Sequence, residues 1–399
     1  MNGRQSAPQR ICLLGATGSI GRSTLDVIAR HPQRFEVSVL TACSNVDEMA
    51  RLCRVHRPEL AVMADANAGG LLAKAIADIP ETEVMVGDKA IAQAAAMSDI
   101  DIVVAGIVGS VGLAPCLAAV QAGKRVLLAN KEPLVVAGEL LMAEARRCGA
   151  DLLPIDSEHN GIFQLLPADY TPGLQSSGVE RLTLTASGGP FRRRDPGTFA
   201  TITPQEACRH PNWSMGEKIS VDSASMMNKG LEVIEAARFF GIEADRVDVV
   251  VHPQSLVHAL VQYRDGSMLA QMGNPDMRTP IAHALAWPQR IEAGVKALDL
   301  VAVGQLDFEA PDEARFPCLA LARQALASGQ AATAALNGAN EMAVAAFLRG
   351  ELRFDRLATV IEQTLAAMDH AVASGLEALI AHEREAKRQA SVFIAEWSR

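Results

Sequence analysis

The sequence lacks any paired cysteine motif. Its seven cysteines (Cys12, Cys43, Cys53, Cys116, Cys148, Cys208 and Cys318) are scattered, odd in number and never spaced C-x-x-C. This argues against a disulfide framework or a zinc ribbon and favours a reducing compartment. No apolar run approaches the length needed to cross a bilayer. The opening residues MNGRQSAPQR hold no apolar signal core, so a cytoplasmic protein is expected, without membrane partners. Basic residues are outnumbered by acidic ones, 37 to 46. That balance speaks against nucleic-acid binding but leaves room for a local basic pocket that takes phosphate. There is no internal repeat and no low-complexity tract. What remains is ordinary globular composition over 399 residues, enough for two or three domains with separate cores.

The first part alternates short, β-branched apolar runs with stretches of helical spacing. Ile11–Leu14, Val37–Thr41, Leu60–Met63, Val84–Val86, Ile102–Ala105 and Val126–Leu128 predict strands, and Ser23–Arg30 and Val46–His56 predict intervening helices. Such alternation predicts an α/β fold with a Rossmann-like parallel sheet covered on both faces. Near Asp151 the texture changes to a central α+β region. Strands are expected at Leu152–Pro154, Leu182–Thr185 and Val247–Val251, with an alternating run at Ser267–Gly273. The long loop Gly188–Trp213 carries Arg192, Arg193, Arg194 and His210-Pro211-Asn212-Trp213. Loops of this length in compact domains are usually lids or linkers. A Pro- and Asp-containing connection then leads into an Ala- and Leu-rich C-terminal part, read as a helical bundle. There Asn340 reads as an N-cap, and Gly375 as the break between the last two helices. The expected division is 1–155, 156–298, a linker at 299–316, and 317–399.

Ile11-Cys12-Leu13-Leu14 runs into Gly15-Ala16-Thr17-Gly18-Ser19-Ile20-Gly21 and then into a helix. Strand, glycine turn and helix in this order suit a dinucleotide. Glycines let the backbone approach a pyrophosphate, and the helix N-terminus offers free N–H groups and a positive dipole end. The spacing is G-x-x-G-x-x-G, and a turn that only packs helix on sheet is the other reading. An acid at the end of the second strand would bind the ribose hydroxyls of NAD. Here Thr41-Ala42-Cys43-Ser44-Asn45 stands instead, with no acid before Asp47. Ser44 and Asn45 can donate to a phosphate, which tilts the expectation to NADPH, although no Lys or Arg stands in the loop.

Asp156-Ser157-Glu158 follows the strand Leu152–Pro154. In extended chain, residues two apart share a side, so Asp156 and Glu158 could face one hard divalent ion. Alone, D-x-E reads first as a solvated strand end. Farther on, a helix starting around Ser225 would put Asn228 and Glu232 on one face beside Lys229. A surface Lys229–Glu232 pair is the plainer reading. Trp213 in a polar loop reads equally as a lid or as a locally packed ring. Thr185-Ala186-Ser187-Gly188-Gly189-Pro190 is an anion nest or an ordinary turn. A dehydrogenase acting through a nucleophilic cysteine would need that thiol at a strand-to-helix turn. Cys148 sits in a helical stretch and Cys208 precedes a Pro-containing loop, and neither fits.

Taken jointly, six blocks resemble the 1-deoxy-D-xylulose 5-phosphate reductoisomerase family. They are the glycine turn, Ala129-Asn130-Lys131-Glu132, Pro154-Ile155-Asp156-Ser157-Glu158-His159, Thr185–Phe191, His210-Pro211-Asn212-Trp213-Ser214-Met215-Gly216, and Met227-Asn228-Lys229-Gly230-Leu231-Glu232. They fall in the family's order, and the likeness extends to Asn337-Gly338-Ala339-Asn340-Glu341. The resemblance implies NADPH-dependent rearrangement and reduction of 1-deoxy-D-xylulose 5-phosphate to 2-C-methyl-D-erythritol 4-phosphate, on the non-mevalonate route to isoprenoids. It implies one divalent ion (Mg²⁺, Mn²⁺ or Co²⁺) on Asp156, Glu158 and Glu232, and a homodimer. The N-terminal region would bind NADPH through Gly15, Thr17, Gly18, Ser19, Ile20, Ser44, Asn45, Asn130, Glu132 and Gly216. The central region would hold the substrate with Lys131, Ser157, Glu158, Ser187, His210, Ser223, Asn228, Lys229 and Glu232, under a flap at 207–217 that carries Trp213 and Met215. Lys131 and the three metal carboxylates are the implied catalytic set. The family's chemistry implies retro-aldol and aldol steps; the residues suit a direct ketol shift as well. Where family members often carry a Gly-Lys-Asn turn, this chain has Cys43-Ser44-Asn45.

Overall fold

The computed structural model describes residues 7–167, 170, 178–213, 215–370 and 375–397. The polar start at residues 1–6, and Ser214 in the flap motif, lie outside them. The chain folds as two compact units. The first takes Met1–Asn130, Ala143–Asn160 and Asp276–Lys296, and the second takes Lys131–Met142, Gly161–Pro275 and Ala297–Arg399.

The first unit is built on seven strands: β1 (Gln9–Leu14), β2 (Phe35–Ala42), β3 (Leu60–Met63), β4 (Glu83–Val86), β5 (Ile102–Ala105), β6 (Arg125–Leu128) and β7 (Leu152–Pro154). They lie in the order β4-β3-β2-β1-β5-β6-β7, and every pairing is parallel. A parallel sheet is buried on both faces, so its strands read as continuous apolar runs; Ile11 to Leu14 and Ile102 to Ala105 are buried throughout. The helix Ser19–Arg30 turns Leu25, Val27 and Ile28 inward, and the helix Val46–His56 does the same with Met49, Leu52 and Cys53. Asn45 caps the latter, its side-chain oxygen accepting from the Glu48 N–H at 3.2 Å, which relieves one orphan donor of the first turn. Strand order reverses at β1, flanked by β2 on one side and β5 on the other. In open α/β sheets that reversal opens a crevice at the carboxyl ends of the strands, where ligands bind.

The second unit holds a mixed sheet of β8 (Val179–Ala186), β9 (Val247–Val251), β10 (Val257–Tyr263) and β11 (Met268–Met272). Its order is β11-β10-β8-β9, with β10 antiparallel to both neighbours and β8 parallel to β9. Strand β10 is missing from the sequence reading because His258 and Gln262 interrupt its apolar run; His258 is in fact buried. The connection at 299–316 closes the β9 edge, where the backbones of Val251 and Glu309 exchange hydrogen bonds of 2.8 Å. The helices Gln330–Leu348, Leu357–Ala367 and Leu376–Trp397 pack together as a bundle. Gly375, with φ +97°, immediately precedes the last helix as expected. Asn340 corrects the sequence reading: it is no N-cap. The helix starts ten residues earlier, at Gln330. Asn340 lies buried within it, where its amide donates to Asp222 Oδ1 at 2.8 Å.

Candidate active site

The glycine turn sits at the crevice of the first unit. Gly15 has φ +83°, and a Cβ there would fall 2.8 Å from the Gly106 carbonyl; at Gly21 it would fall 2.2 Å from that of Ala16. Only glycine permits this turn and this helix-to-strand approach. Gly18 precedes the helix in extended backbone, and Ser19 and Ile20 begin it. The turns after β1 and β2 are stitched together: Ala16 N–H donates to Thr41 O at 2.8 Å and Gly15 N–H to Thr41 Oγ1 at 3.1 Å. Cys43, Ser44 and Asn45 lie exposed beside them. Asn130, from the turn after β6, reaches the Gly109 carbonyl at 3.4 Å. The glycine turn, Ser44, Asn45 and Asn130 thus all line the carboxyl edge of one sheet.

Asp156 and Glu158 stand at the carboxyl end of β7, in the same unit. The sequence argument for their pairing needs correction. The chain is not extended here, because a helix, Ser157–Leu165, begins at once. Asp156 acts as its cap: Oδ1 accepts from the Ser157 N–H at 2.9 Å. Ser157 Oγ in turn donates to Glu158 Oε2 at 2.6 Å. The helical turn, rather than strand alternation, leaves carboxylate oxygens of Asp156 and Glu158 within 4.8 Å of each other.

The second unit holds the remaining polar cluster. The helix Met227–Phe240 starts two residues later than expected, behind Met226 in a left-handed conformation. Asn228 and Glu232 still share a face, with Asn228 Nδ2 donating to Glu232 Oε1 at 2.5 Å. Lys131 Nζ donates to Asn228 Oδ1 at 2.8 Å and stands 3.4 Å from Glu232. Lys229 pairs with the other Glu232 oxygen. This ion pair is no surface feature: Lys131, Lys229 and Glu232 are 5%, 3% and 1% exposed. Charges buried so deeply persist only when paired and hydrogen-bonded.

Ser187, His210 and Ser223 converge in the same unit. Gly189, with φ +67°, lies so close to the Ser223 carbonyl that a Cβ would stand 2.8 Å from it. The turn after β8 is thereby pressed onto the end of the helix Glu217–Ala224. Ser187 Oγ is 2.8 Å from His210 Nε2. The other ring nitrogen accepts from the N–H groups of Asn212 and Trp213, at 3.2 and 3.0 Å. That makes Nε2 the protonated nitrogen and the donor to Ser187. Trp213 is half-buried, its ring 6.1 Å from that of His258. Met215 is half-buried too, and Gly216 is the exposed N-cap of Glu217–Ala224.

The chain that builds these clusters matches known families along most of its length. A model for 1-deoxy-D-xylulose 5-phosphate reductoisomerase matches residues 11–138, one for that enzyme's C-terminal domain matches 152–240, and one for the DXP reductoisomerase C-terminal domain matches 272–389. The chain is 57% identical over 383 residues to the 1-deoxy-D-xylulose 5-phosphate reductoisomerase of Pseudomonas putida (strain W619), covering 96% of this chain and 97% of that protein. The chain belongs to the 1-deoxy-D-xylulose 5-phosphate reductoisomerase family. The reductoisomerase of Burkholderia vietnamiensis (strain G4 / LMG 22486) is 55% identical over 388 residues, 97% of each chain. A crystal structure of a reductoisomerase in complex with NADPH, fosmidomycin and magnesium superposes with a TM-score of 0.93 at 45% identity, over 97% of this chain and 98% of that one. The Zymomonas mobilis reductoisomerase in complex with NADPH gives 0.89 at 46%, over 98% and 99%.

One feature of this reductoisomerase fold escaped sequence reasoning. Glu132, buried at the start of the helix Glu132–Cys148, accepts from Lys218 Nζ at 3.0 Å. Lys218 also pairs with buried Asp222 at 2.8 Å, and Asp222 takes the Asn340 amide. Burial, the largest single influence, pushes Glu132 upward, but the Lys218 ammonium together with a backbone hydrogen bond and Lys131 holds the carboxyl below its ordinary range. Burial likewise opposes the Lys218 charge, yet Asp222 and Glu132 together raise its pKa above the usual lysine value. The i,i+4 spacing of Lys218 and Asp222 was visible in the sequence. The burial of Asp222, and partners 86 and 118 residues away, were not.

Proposed function

We propose that the chain catalyses NADPH-dependent rearrangement and reduction of 1-deoxy-D-xylulose 5-phosphate to 2-C-methyl-D-erythritol 4-phosphate, with one divalent cation. The observation that carries this is membership of the reductoisomerase family over nearly the whole chain, with all six motif blocks intact. The residues suit both groups the reaction needs. Glycine at positions 15 and 21 lets the turn and the helix close onto neighbouring backbone, which leaves the helix N-terminus at Gly18 and Ser19 to meet a pyrophosphate. Carboxylates alone, as at Asp156, Glu158 and Glu232, are the donors a hard Mg²⁺, Mn²⁺ or Co²⁺ accepts.

When bound, the cation supplies Lewis-acid polarisation of the substrate's carbonyl and hydroxyl oxygens and NADPH supplies the hydride. The side chains do the rest. Asp156, Glu158 and Glu232 hold the cation, and Lys131 and Ser157 contact the substrate near its reacting end. Ser187, Ser223, Asn228, Lys229 and His210 grip the phosphate, away from the carbons whose bonds change. Binding energy spent there orients the reacting end. Trp213 and Met215 on the flap at 207–217 cover the ligand and keep water from the aldehyde intermediate. Thr17, Gly18, Ser19, Ile20, Ser44, Asn45, Asn130, Glu132 and Gly216 contact the cofactor. In this reading residues 1–155 serve NADPH, 156–298 catalysis and 317–399 support, with 299–316 as linker. The protein works as a cytoplasmic homodimer; among the described residues no helix is long and apolar enough to cross a membrane. The deciding experiment follows NADPH absorbance on addition of 1-deoxy-D-xylulose 5-phosphate, with and without Mn²⁺. Loss of absorbance only with metal is expected; no loss in either case would remove the proposal.

A further inference from the structure

An NADP-binding site needs a cation near the ribose 2′-phosphate, commonly an arginine. The turn after β2, Cys43-Ser44-Asn45, contains none. The helix that follows even opens with two acids, Asp47 and Glu48. A basic group must therefore come from a neighbouring element, if the NADPH reading on which this inference rests is right.

The neighbour is the helix Ser19–Arg30. Because β1 and β2 are adjacent and parallel, the helix that starts behind the glycine turn begins next to the turn after β2, and the Thr41 hydrogen bonds hold the two turns together. Arg22 stands in its first turn. Its guanidinium folds back over the glycine turn, donating to the Thr17 carbonyl at 2.7 Å. It also lies close enough to Glu48 to help Arg51, the stronger influence, hold that carboxyl below its ordinary range. The other arginines on these two helices are engaged by carboxylates: Arg30 by Asp26 at 3.1 Å, Arg51 by Glu48 at 2.8 Å and Arg54 by Asp78 at 3.4 Å. Among the described residues, Arg22 has no carboxylate within 4.0 Å. Its side chain is exposed, as are Cys43, Ser44 and Asn45.

We propose that Arg22 is the residue by which this chain distinguishes NADPH from NADH, reaching the 2′-phosphate from the glycine-turn helix in place of a basic residue in the turn after β2. The planar guanidinium makes charge-assisted, bidentate hydrogen bonds to phosphate oxygens. Ser44 supplies a hydroxyl donor. The Asn45 side-chain oxygen is occupied by the Glu48 N–H, which leaves its amide NH₂ to donate. The Arg51–Glu48 pair limits repulsion by the nearest acid.

The test is calorimetric binding to the full-length protein, with 2′,5′-ADP and 5′-AMP as probes that differ only in the 2′-phosphate, alongside NADPH and NADH. Arg22→Gln is an exposed substitution and leaves the fold intact. It is expected to weaken NADPH and 2′,5′-ADP about tenfold or more, leaving NADH and 5′-AMP within about twofold. Adding Ser44→Lys to Arg22→Gln restores a cation to the same phosphate and is expected to recover most of the loss. Unchanged NADPH binding in Arg22→Gln, or equal weakening of all four ligands, would overturn the assignment. Equal affinity of the unaltered protein for NADPH and NADH would remove the NADPH reading itself, and this inference with it.

Discussion

Glu232 lies 1% exposed, hydrogen-bonded by Asn228 and flanked by the ammonium groups of Lys131 and Lys229. Glu232→Gln keeps the shape and removes the charge a divalent ion requires. Turnover at saturating Mg²⁺ is expected to fall by about a hundredfold or more, with the NADPH dissociation constant unchanged; undiminished turnover takes Glu232 out of the proposed ligand set. A second residue, His283, contributes to the loss of stability in acid. Burial chiefly, with Arg290 nearby, depresses its pKa to about 4, against about 6.5 in an unfolded chain. Between those values the unfolded state binds the extra proton. The contribution is thus complete above about pH 6.5 and is lost as pH falls toward 4. Denaturant melts of His283→Asn are expected to show a flatter decline between pH 7 and 4.5 than those of the parent chain; parallel declines would show that another group carries the effect. At this scale the sequence was informative where partners lie within one helical turn, as with Asn228 and Glu232. It was silent where they do not. Nothing in the spacing of Glu132, Lys218 and Asn340 announces that one buried network joins them.

Elements were legible when their pattern was local and uniform. The six N-terminal strands and the helix Val46–His56 emerged because both faces of a parallel sheet are apolar. β10 was lost to two polar residues, and the turn Asp156–Glu158 was read as strand because a cap residue and a strand end look alike in three letters. The proposed flap shows what such local pieces do together. Its middle is tied down by Asn212, whose amide donates to the Pro253 carbonyl at 2.6 Å and to Ser255 Oγ at 2.8 Å. Asn212→Ala removes both anchors at a net cost of about 1–3 kcal/mol. The expected reading is a KM for the sugar phosphate raised about tenfold with kcat little changed; an unaltered KM shows that the flap does not need this tether. Its C-terminal side is rooted by Lys218. Lys218→Met strands two buried carboxylates and is expected to cost about 3 kcal/mol in denaturant melts at neutral pH. The sign follows from both shifts. Glu132, held low, loses its contribution as pH drops below the carboxylate range, and Lys218, held high, loses its own as pH rises past the lysine range. The difference between variant and parent is therefore greatest from about pH 5 to 9 and should narrow at both extremes. A pH-independent difference would mean packing, not charge, is what the methionine disturbs.

For the molecule as a whole, the parallel sheet was readable from pattern alone, as was the glycine turn behind β1; the strand order, and with it the switch point, was not. The second unit was legible in its strands β8, β9 and β11 and in its helical bundle, but not in their pairing, since its sheet mixes parallel and antiparallel pairs separated by long loops. The catalytic role proposed for it rests on joint motifs rather than on periodicity. Ligand linkage offers a global check. A cation that binds only the folded chain, present at a hundred times its dissociation constant, adds about 2.7 kcal/mol. For a chain of this size that amounts to roughly 3 °C in Tm. Mg²⁺ should produce this shift in the parent protein and not in Glu232→Gln; equal shifts in both would locate the ion elsewhere.

The amide of Asn340 has one more implication. It sits deep in the C-terminal bundle, yet it grips the aspartate directly before Ser223, so the bundle is wired to the end of the second unit proposed to grip the phosphate. Alterations in the last quarter of the polypeptide can therefore emerge as changed substrate affinity rather than as misfolding. A mutational survey confined to residues that touch the ligand would overlook position 340, the remote handle on that end of the site.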